Sequence, residues 1–422
     1  MVRTRIAPSP TGIPHIGTIR TALFSFLYAK KCSGQFILRI EDTDQKRLVP
    51  GVLEKIYQTF DFLGLTPDEG PQQGGQYGPY IQTQRLDIYQ KYTQKLLESA
   101  HAYESEGAIR IKMPKTGFTN WKDLIQGKIS YPNKEIDDKV LMKSNGIPTY
   151  HLAVVIDDHL MKISHVLRGV EWISSTPVHL QLYQALGWQP PLFGHVPIVL
   201  GEDKSKLSKR HGAKSALDYR DDGYLPEALI SFLAYLGWSY QDNSQLLNIS
   251  ELIQAFDINK IQKSNAVFDI QKLNYFNGKA IRAKSDQQLL SLVKPFLQYP
   301  AGDELLLKII PLIKERITAL KDTNSLISFF FNTPQIPAEL VNYQQYLADI
   351  ESVLTKVTWE KTAIETALLK IIDEKNHHKG DFFMGLRLAV CGQRITPPLT
   401  ESMLILGKDE VVSRIHHAYT TL

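Results

Sequence analysis

The sequence predicts an α/β body built on a doubly wound parallel sheet, followed by an all-helical C-terminal region. Three observations carry that prediction. A strand, a break and a helix follow one another at the very start, β-rich runs return between residues 150 and 200, and helical periodicity takes over from about residue 305.

In chain order, Val2 to Ala7 is a β-rich run and Pro8-Ser9-Pro10-Thr11-Gly12 ends it. Ile19, Ala22, Leu23 and Phe26 then recur at the spacing of one helix face. The break therefore falls at a strand-to-helix turn, which in a doubly wound sheet is where free helix amides meet anionic ligands. Gly17 allows close approach to the backbone there, and His15 can donate to phosphate oxygens. Phe36 to Ile40 is the next strand, and Val52, Leu53, Ile56 and Phe60 mark a helix ending at Gly64. The Gly- and Pro-rich stretch from Gly70 to Tyr80 is a loop, leading to a helix that carries Leu86, Tyr89, Leu96 and Leu97. Ala108 to Met113 is a short strand inside an inserted region. The sheet is expected to resume near Tyr150, running through Val166-Leu167-Arg168, a helix from Pro177 to Leu186, and a strand from Val196 to Leu200. Leu305, Leu306, Ile309, Ile310, Leu312, Ile313 and Ile317 form a strongly apolar helix in the C-terminal part.

The chain has 422 residues, 43% hydrophobic and 22% charged, enough for two to four domains of an ordinary globular protein. No apolar run reaches the roughly eighteen residues of a membrane span, and Met1 leads straight into a strand, so a cytoplasmic protein is expected. Cys32 and Cys391 are the two cysteines, too far apart for a zinc knuckle and expected to be buried structurally. The net charge of +4 leaves any RNA binding to local basic surfaces.

Between residues 204 and 214 lie Lys204, Lys206, Lys209, Arg210 and Lys214, interleaved with Ser205, Ser208 and Gly212. Such a run is usually a solvated face. Paired with His15 and Gly17, it suits gripping a nucleoside triphosphate from two sides, because flexible ammonium groups stabilise the charge that builds during attack on an α-phosphate.

Arg5-Ile6-Ala7-Pro8-Ser9-Pro10-Thr11-Gly12 with His15-Ile16-Gly17-Thr18, Arg39-Ile40-Glu41-Asp42-Thr43-Asp44, Tyr150-His151-Leu152 with Asp157-Asp158-His159, and Lys206-Leu207-Ser208-Lys209-Arg210 stand in this order. Together they resemble the bacterial glutamyl-tRNA synthetases, a class I aminoacyl-tRNA synthetase family, and the likeness extends through Ala266-Val267-Phe268-Asp269 to the C-terminal region. The resemblance implies a Rossmann-like catalytic domain, with its first half over 1–85 and its second over 146–200. It also implies a connecting insertion for the tRNA acceptor end over 86–145, a stem-contact region with the lysine loop over 201–285, and an all-α anticodon-binding bundle over 286–422. The implied reaction is ATP-dependent attachment of L-glutamate to glutamate tRNA through a glutamyl-adenylate, with release of AMP and pyrophosphate.

By that resemblance Arg5, Ser9, Glu41, Tyr150 and Arg168 bind glutamate, with Arg5 and Arg168 near strand ends as partners for its side-chain carboxylate and Glu41 countering its ammonium. Pro8, His15, Gly17, Thr18, Lys206 and Lys209 bind ATP, and His15, Lys206 and Lys209 are the catalytic set. Mg²⁺ is assigned to the ATP phosphates, with no protein metal site and no zinc, since the insertion is shortened between Tyr103 and Ala108 and has no cysteines. Asp42, Asp44, Asp157 and Asp158 are read as caps and loop braces, and Arg39 with Glu41, taken without the family, as a surface ion pair. Glu171 and Trp172 stand close to Arg168 in sequence, the aromatic more often core packing than a stacking platform. Arg316, Arg387 and Arg394 are candidates to read anticodon bases. The expected partners are glutamate tRNA, glutamate and ATP, without a membrane, on a monomer. Two rivals remain: a glutamyl transferase acting on a modified tRNA base, and a silent tRNA-binding regulator.

Overall fold

The computed structural model describes residues 1–205, 207 and 214–422. Its first compact unit comprises residues 1–221 and 225–276, its second residues 222–224 and 277–422.

In the first unit, strand β1 (Arg3–Ile6) runs into helix α1 (Ile16–Lys31) and returns as β2 (Gln35–Leu38), parallel to β1. Helix α2 (Val52–Leu63) ends where the sequence marks it, with Gly64 in the left-handed conformation that closes a helix without a Cβ penalty. Helix α3 (Leu86–Glu98) opens the inserted region, which contains β3 (Ala102–Ser105), β4 (Ala108–Ile111), the hairpin β5 (Phe118–Asp123) and β6 (Gly127–Pro132), and β7 (Val140–Met142).

Tyr150 does not return the chain to the sheet. It opens helix α4 (Tyr150–Leu160), in which residues 152 to 158 are all buried. A helix buried on every side presents the same continuous apolar run as a central strand, so periodicity cannot separate them. The sheet resumes at β8 (His165–Gly169), followed by α5 (Thr176–Ala185) and β9 (Leu192–Val196), parallel to β8. Ser164 N–H donates to the Arg3 carbonyl and so ties the second strand pair to the first. The strand expected over 196–200 is two strands, because Pro197 lacks the N–H a ladder needs, and β10 (Val199–Leu200) pairs instead with β11 (Ala266–Val267) after helices α6 (Ala216–Asp221), α7 (Pro226–Tyr235) and α8 (Ile249–Ala255).

Helix α9 (Ile270–Arg282) carries the chain out of this unit. The second unit contains α10 (Asp286–Val293), α11 (Asp303–Ile313), α12 (Thr323–Ile327), α13 (Gln344–Lys356), α14 (Lys361–Glu374), α15 (Lys379–Cys391), α16 (Leu399–Leu406) and α17 (Lys408–Thr421). Its core includes Leu347, Ile350, Leu368, Leu386 and Ile415, packed between helices. Cys391 is buried there, its thiol pushed up to about 12 by burial. Cys32, expected to be buried, is exposed instead, because it follows the last turn of α1 where the chain leaves the core. No described helix is long and apolar enough to cross a membrane.

Candidate active site

The site forms where β1 and β8 deliver their carboxyl ends beside the N-terminus of α1. A cleft of about 220 Å³, somewhat smaller than the usual small-molecule site, is lined there by Arg5, His15, Glu41, Tyr150, Arg168 and Trp172, among others. Of the residues proposed from sequence, Gly17 and Thr18 also line it. Pro8 and Ser9 do not: Pro8 is buried, its carbonyl accepting from Glu41 N–H, and Ser9 is half-buried outside the lining. Lys206 and Lys209 lie outside the described residues; Leu207, between them, lines the cleft.

His15 is the N-cap of α1. Its Nδ1 accepts from the amides of Gly17 and Thr18, at 3.1 and 3.4 Å. Two of the helix amides expected to be open to a ligand are thereby taken by the protein's own ring. The same bonds require Nδ1 to be unprotonated, which puts the proton of the neutral ring on Nε2 as a donor. Gly17 matters for this packing as much as for any ligand: a Cβ there would come within 3.0 Å of His15 Cε1.

The floor is an arginine–carboxylate lattice. Arg39 is completely buried and not a surface residue; its Nη1 donates to Asp158 at 2.8 Å and its Nη2 to Glu41 at 3.2 Å, with Asp157 3.6 Å from Nε. Arg5 Nε donates to both oxygens of Asp158, and its Nη1 to the Leu167 carbonyl. Asp157 also takes bonds from Arg85, Gln82 and Tyr89. Asp157 and Asp158 are thus neither caps nor metal ligands but countercharges on α4 that hold the arginines. Asp42 does brace a loop, accepting from Thr83. Burial works against ionisation of Asp158, yet Arg5 and Arg39 hold its carboxyl below the ordinary range. Glu41 differs: burial dominates and pushes it up to about 6 despite Arg39 and Arg5. It is a desolvated carboxylate at the cleft with room for another cation.

The opposite wall surrounds Arg168. Its Nε donates to His195 Nε2 at 3.1 Å, Nη1 faces Tyr150 Oη at 3.2 Å and His179 Nδ1 at 3.1 Å, and Nη2 donates to Thr176 Oγ1 at 2.8 Å and the Trp172 carbonyl at 3.3 Å. All five guanidinium donors are used, every partner is uncharged, and among the described residues no carboxylate stands within ion-pair distance. Trp172, 38% exposed, is no core residue: its ring lies 4.5 Å from that of Tyr150 at the cleft.

Sequence reading missed His179 and His195, and used His151 only as part of a motif. Single histidines far apart in sequence carry no signal until the fold brings them to one arginine. It also missed Arg20, a buried cation lining the cleft that donates to the carbonyls of Leu236 and Pro197. Among the described residues, no group of three His, Cys, Asp or Glu side chains could hold a metal ion. In the helical unit Arg316 is exposed, Arg387 half-buried, and Arg394 ion-paired with Glu339.

Comparison with known proteins adds an independent line. The family profile described as tRNA synthetases class I (E and Q), catalytic domain, matches residues 1–108 and 104–275, and the anticodon binding domain profile matches residues 288–419. A glutamate–tRNA ligase of Borrelia recurrentis (strain A1) is 42% identical, covering 99% of this chain and 95% of the relative. One from Dehalococcoides mccartyi (strain BAV1) is 40% identical, covering 100% and 98%. The crystal structure of a glutamate tRNA ligase from Elizabethkingia meningosepticum in complex with its amino acid superposes with a TM-score of 0.90 at 35% identity, covering 100% of this chain and 99% of that one.

Proposed function

Because the chain belongs to the class I glutamyl-tRNA synthetases and attaches glutamate to tRNA at the expense of ATP, we propose that the cleft between the Arg39 lattice and the Arg168 wall is where glutamate is activated. The observation that carries this reading is that Arg5, Arg168 and the under-compensated carboxylate of Glu41 meet at a single small cleft, which Arg20 and Glu171 also line. Such a set matches a zwitterion with an extra carboxylate.

Arg5 keeps its Nη2 edge without a protein partner among the described residues, and that edge grips the side-chain carboxylate. Arg168 adds charge and trades one of its cleft-side bonds, to Tyr150 or Trp172, for a substrate oxygen. Glu41 takes the ammonium, and Tyr150 completes the amino-acid end. ATP lies along the start of α1 against His15 Nε2, Gly17 and Thr18, its phosphates carrying Mg²⁺; Lys206 and Lys209, outside the described residues, are kept as its catalytic lysines on the sequence motif. The α-carboxylate of glutamate attacks the α-phosphorus, pyrophosphate leaves, and a terminal ribose hydroxyl of tRNA then displaces AMP at the acyl carbon. Orientation and fixed charge supply the catalysis, and no protein nucleophile takes part. The residues matched by the anticodon profile read the tRNA, and the enzyme works as a cytoplasmic monomer.

Glutamate-dependent pyrophosphate exchange tests the assignment. Glu41→Gln removes the countercharge of the ammonium, so the glutamate KM should rise about tenfold or more while the ATP KM holds, since a hydrogen bond to a charged group is worth about 1.5–3 kcal/mol. A rise in the ATP KM alone would move Glu41 to the nucleotide.

A further inference from the structure

Behind the Arg168 guanidinium stands a line of buried groups that the reaction itself does not use. Asp123 is the last residue of β5, and the turn after it packs on β9, with Leu124 N–H donating to the Phe193 carbonyl. Asp123 and His195 are both fully buried, with Asp123 Oδ2 2.5 Å from His195 Nδ1. The other oxygen, Oδ1, accepts three backbone amides: His195 at 3.0 Å, Ile125 at 3.0 Å and Gln126 at 2.9 Å. These fix which oxygen faces the ring. On the far side of the ring, Nε2 is 3.1 Å from Arg168 Nε and 3.2 Å from Thr176 Oγ1.

Proton counting decides the tautomer. Arg168 Nε always carries a hydrogen, so Nε2 must be the acceptor and Nδ1 the donor, and the Asp123 carboxylate stabilises that form alone. We propose that Asp123 and His195 are positioning residues for substrate glutamate: they lock one imidazole tautomer, and through it the plane of the Arg168 guanidinium. The inference rests on the reading of Arg168 as a ligand of the substrate's side-chain carboxylate. His195 and Thr176 hold the back of the guanidinium, and neither lines the cleft. Tyr150 and Trp172 hold its front and do line it, so the bonds open to exchange face the substrate while those that set direction do not. Burial and the nearby Arg168 charge keep His195 below the ordinary histidine range, although Asp123 pulls the other way, consistent with a neutral ring. A short hairpin in the inserted region thus supplies the carboxylate that orients a residue of the amino-acid site.

The tautomer can be read directly. With histidine labelled by nitrogen-15 in the full chain, and the His195 signals assigned by their loss in His195→Gln, the expected spectrum has the proton on Nδ1 and a bare Nε2 near neutral pH. A proton on Nε2, or a charged ring, overturns the proposal. Kinetics give a second readout. In Asp123→Asn the three amides keep the carbonyl oxygen at Oδ1, which turns the NH₂ group toward Nδ1, drives the proton to Nε2 and sets two donors against each other at Arg168. The glutamate KM should then rise about tenfold or more with the ATP KM unchanged. Adding His195→Gln restores a carbonyl acceptor for Arg168 and should bring the glutamate KM back to within about threefold of the original, as a single regained hydrogen bond allows. No rescue, or equal rises in both KM values, overturns the proposal and leaves Asp123 as packing. Arg168→Gln separates the two levels of the argument: an unchanged glutamate KM there refutes the role of Arg168, and the tautomer measurement then judges the Asp123–His195 lock by itself.

Discussion

Arg5 and Arg168 face the same cleft from opposite walls, and their surroundings are inverted. Arg5 has its charge neutralised, with both oxygens of Asp158 on its Nε, yet it keeps donors open. Arg168 has every donor occupied, yet its partners are a phenol, a hydroxyl, a carbonyl and two imidazoles, so its charge stays uncompensated at close range. The first can recognise the shape of a carboxylate; the second can supply field without collapsing onto a carboxylate of its own. A buried cation surrounded by neutral acceptors is costly to the fold, which is the expected trade for a site that must accept an anion.

The largest effect that would break this comparison is on the carboxylate side. Asp158→Asn leaves the buried guanidinium groups of Arg5 and Arg39 short of a countercharge, and breaking a buried pair of this kind costs about 3–5 kcal/mol. The denaturant midpoint of the variant should fall accordingly, with glutamate activation lost along with it. A shift no larger than that of a surface substitution would mean the lattice is not what holds this floor together.

Next in size, Arg5→Gln should lower kcat/KM for glutamate by roughly a hundredfold, because charge-assisted hydrogen bonds are worth about 1.5–3 kcal/mol, while the ATP KM changes little. Unaltered glutamate kinetics in this variant would remove Arg5 from the specificity pocket.

Acid titration sharpens the contrast without any substitution. Burial lowers His151, to about 4 from an ordinary 6.5, and lowers His179 and His195 in the same direction. The unfolded rings take up protons near 6.5 while the folded ones stay neutral, so the stability they contribute is complete above that pH and is lost as pH falls toward the folded values. For Asp158, also depressed, the loss begins only below the ordinary 3.8. Stability should therefore decline first between pH 6.5 and 4, by about 3 kcal/mol from His151 alone with His179 and His195 adding to it, and again below that from the carboxylate floor; Glu41, raised to about 6, works the other way and offsets part of the first decline as pH falls from about 6 toward 4.5. Unfolding measured across this range should lose the His151 share of that first decline in His151→Gln, with the shares of His179 and His195 remaining.

The smallest expected change is the control. Arg394 and Glu339 form an ion pair in the helical unit with both side chains substantially exposed. Arg394→Ala should leave the denaturant midpoint close to that of the parent protein, since solvent screens such pairs. If it also lowers charging of glutamate tRNA, Arg394 contributes to the tRNA and not to the fold.

How much of this was legible in the chain depends on whether the signal is local. The strand–break–helix at residues 2–26, the stop at Gly64 and the late helical region depend on turn chemistry and short-range periodicity, and they appear where the pattern puts them. Tyr150 and the 196–200 run went the other way. Continuous apolar sequence looks alike in a buried helix and a buried strand, and Pro197 divides a run that hydrophobicity alone joins.

The family, the reaction and two of the arginines at the cleft, Arg5 and Arg168, could be read from the order of motifs, because those residues sit on short segments whose chemistry is recognisable one segment at a time; Arg20 could not. What only the tertiary structure decided is the electrostatic setting of each. Asp158 reaches Arg5 across 153 residues and Arg39 across 119, and Asp123 reaches His195 across 72. Neither charge compensation nor a tautomer is a property of a segment. Both depend on which groups share a water-poor interior, where each ion or proton must find its partner within hydrogen-bond reach, and that is settled only when distant parts of the chain have packed together.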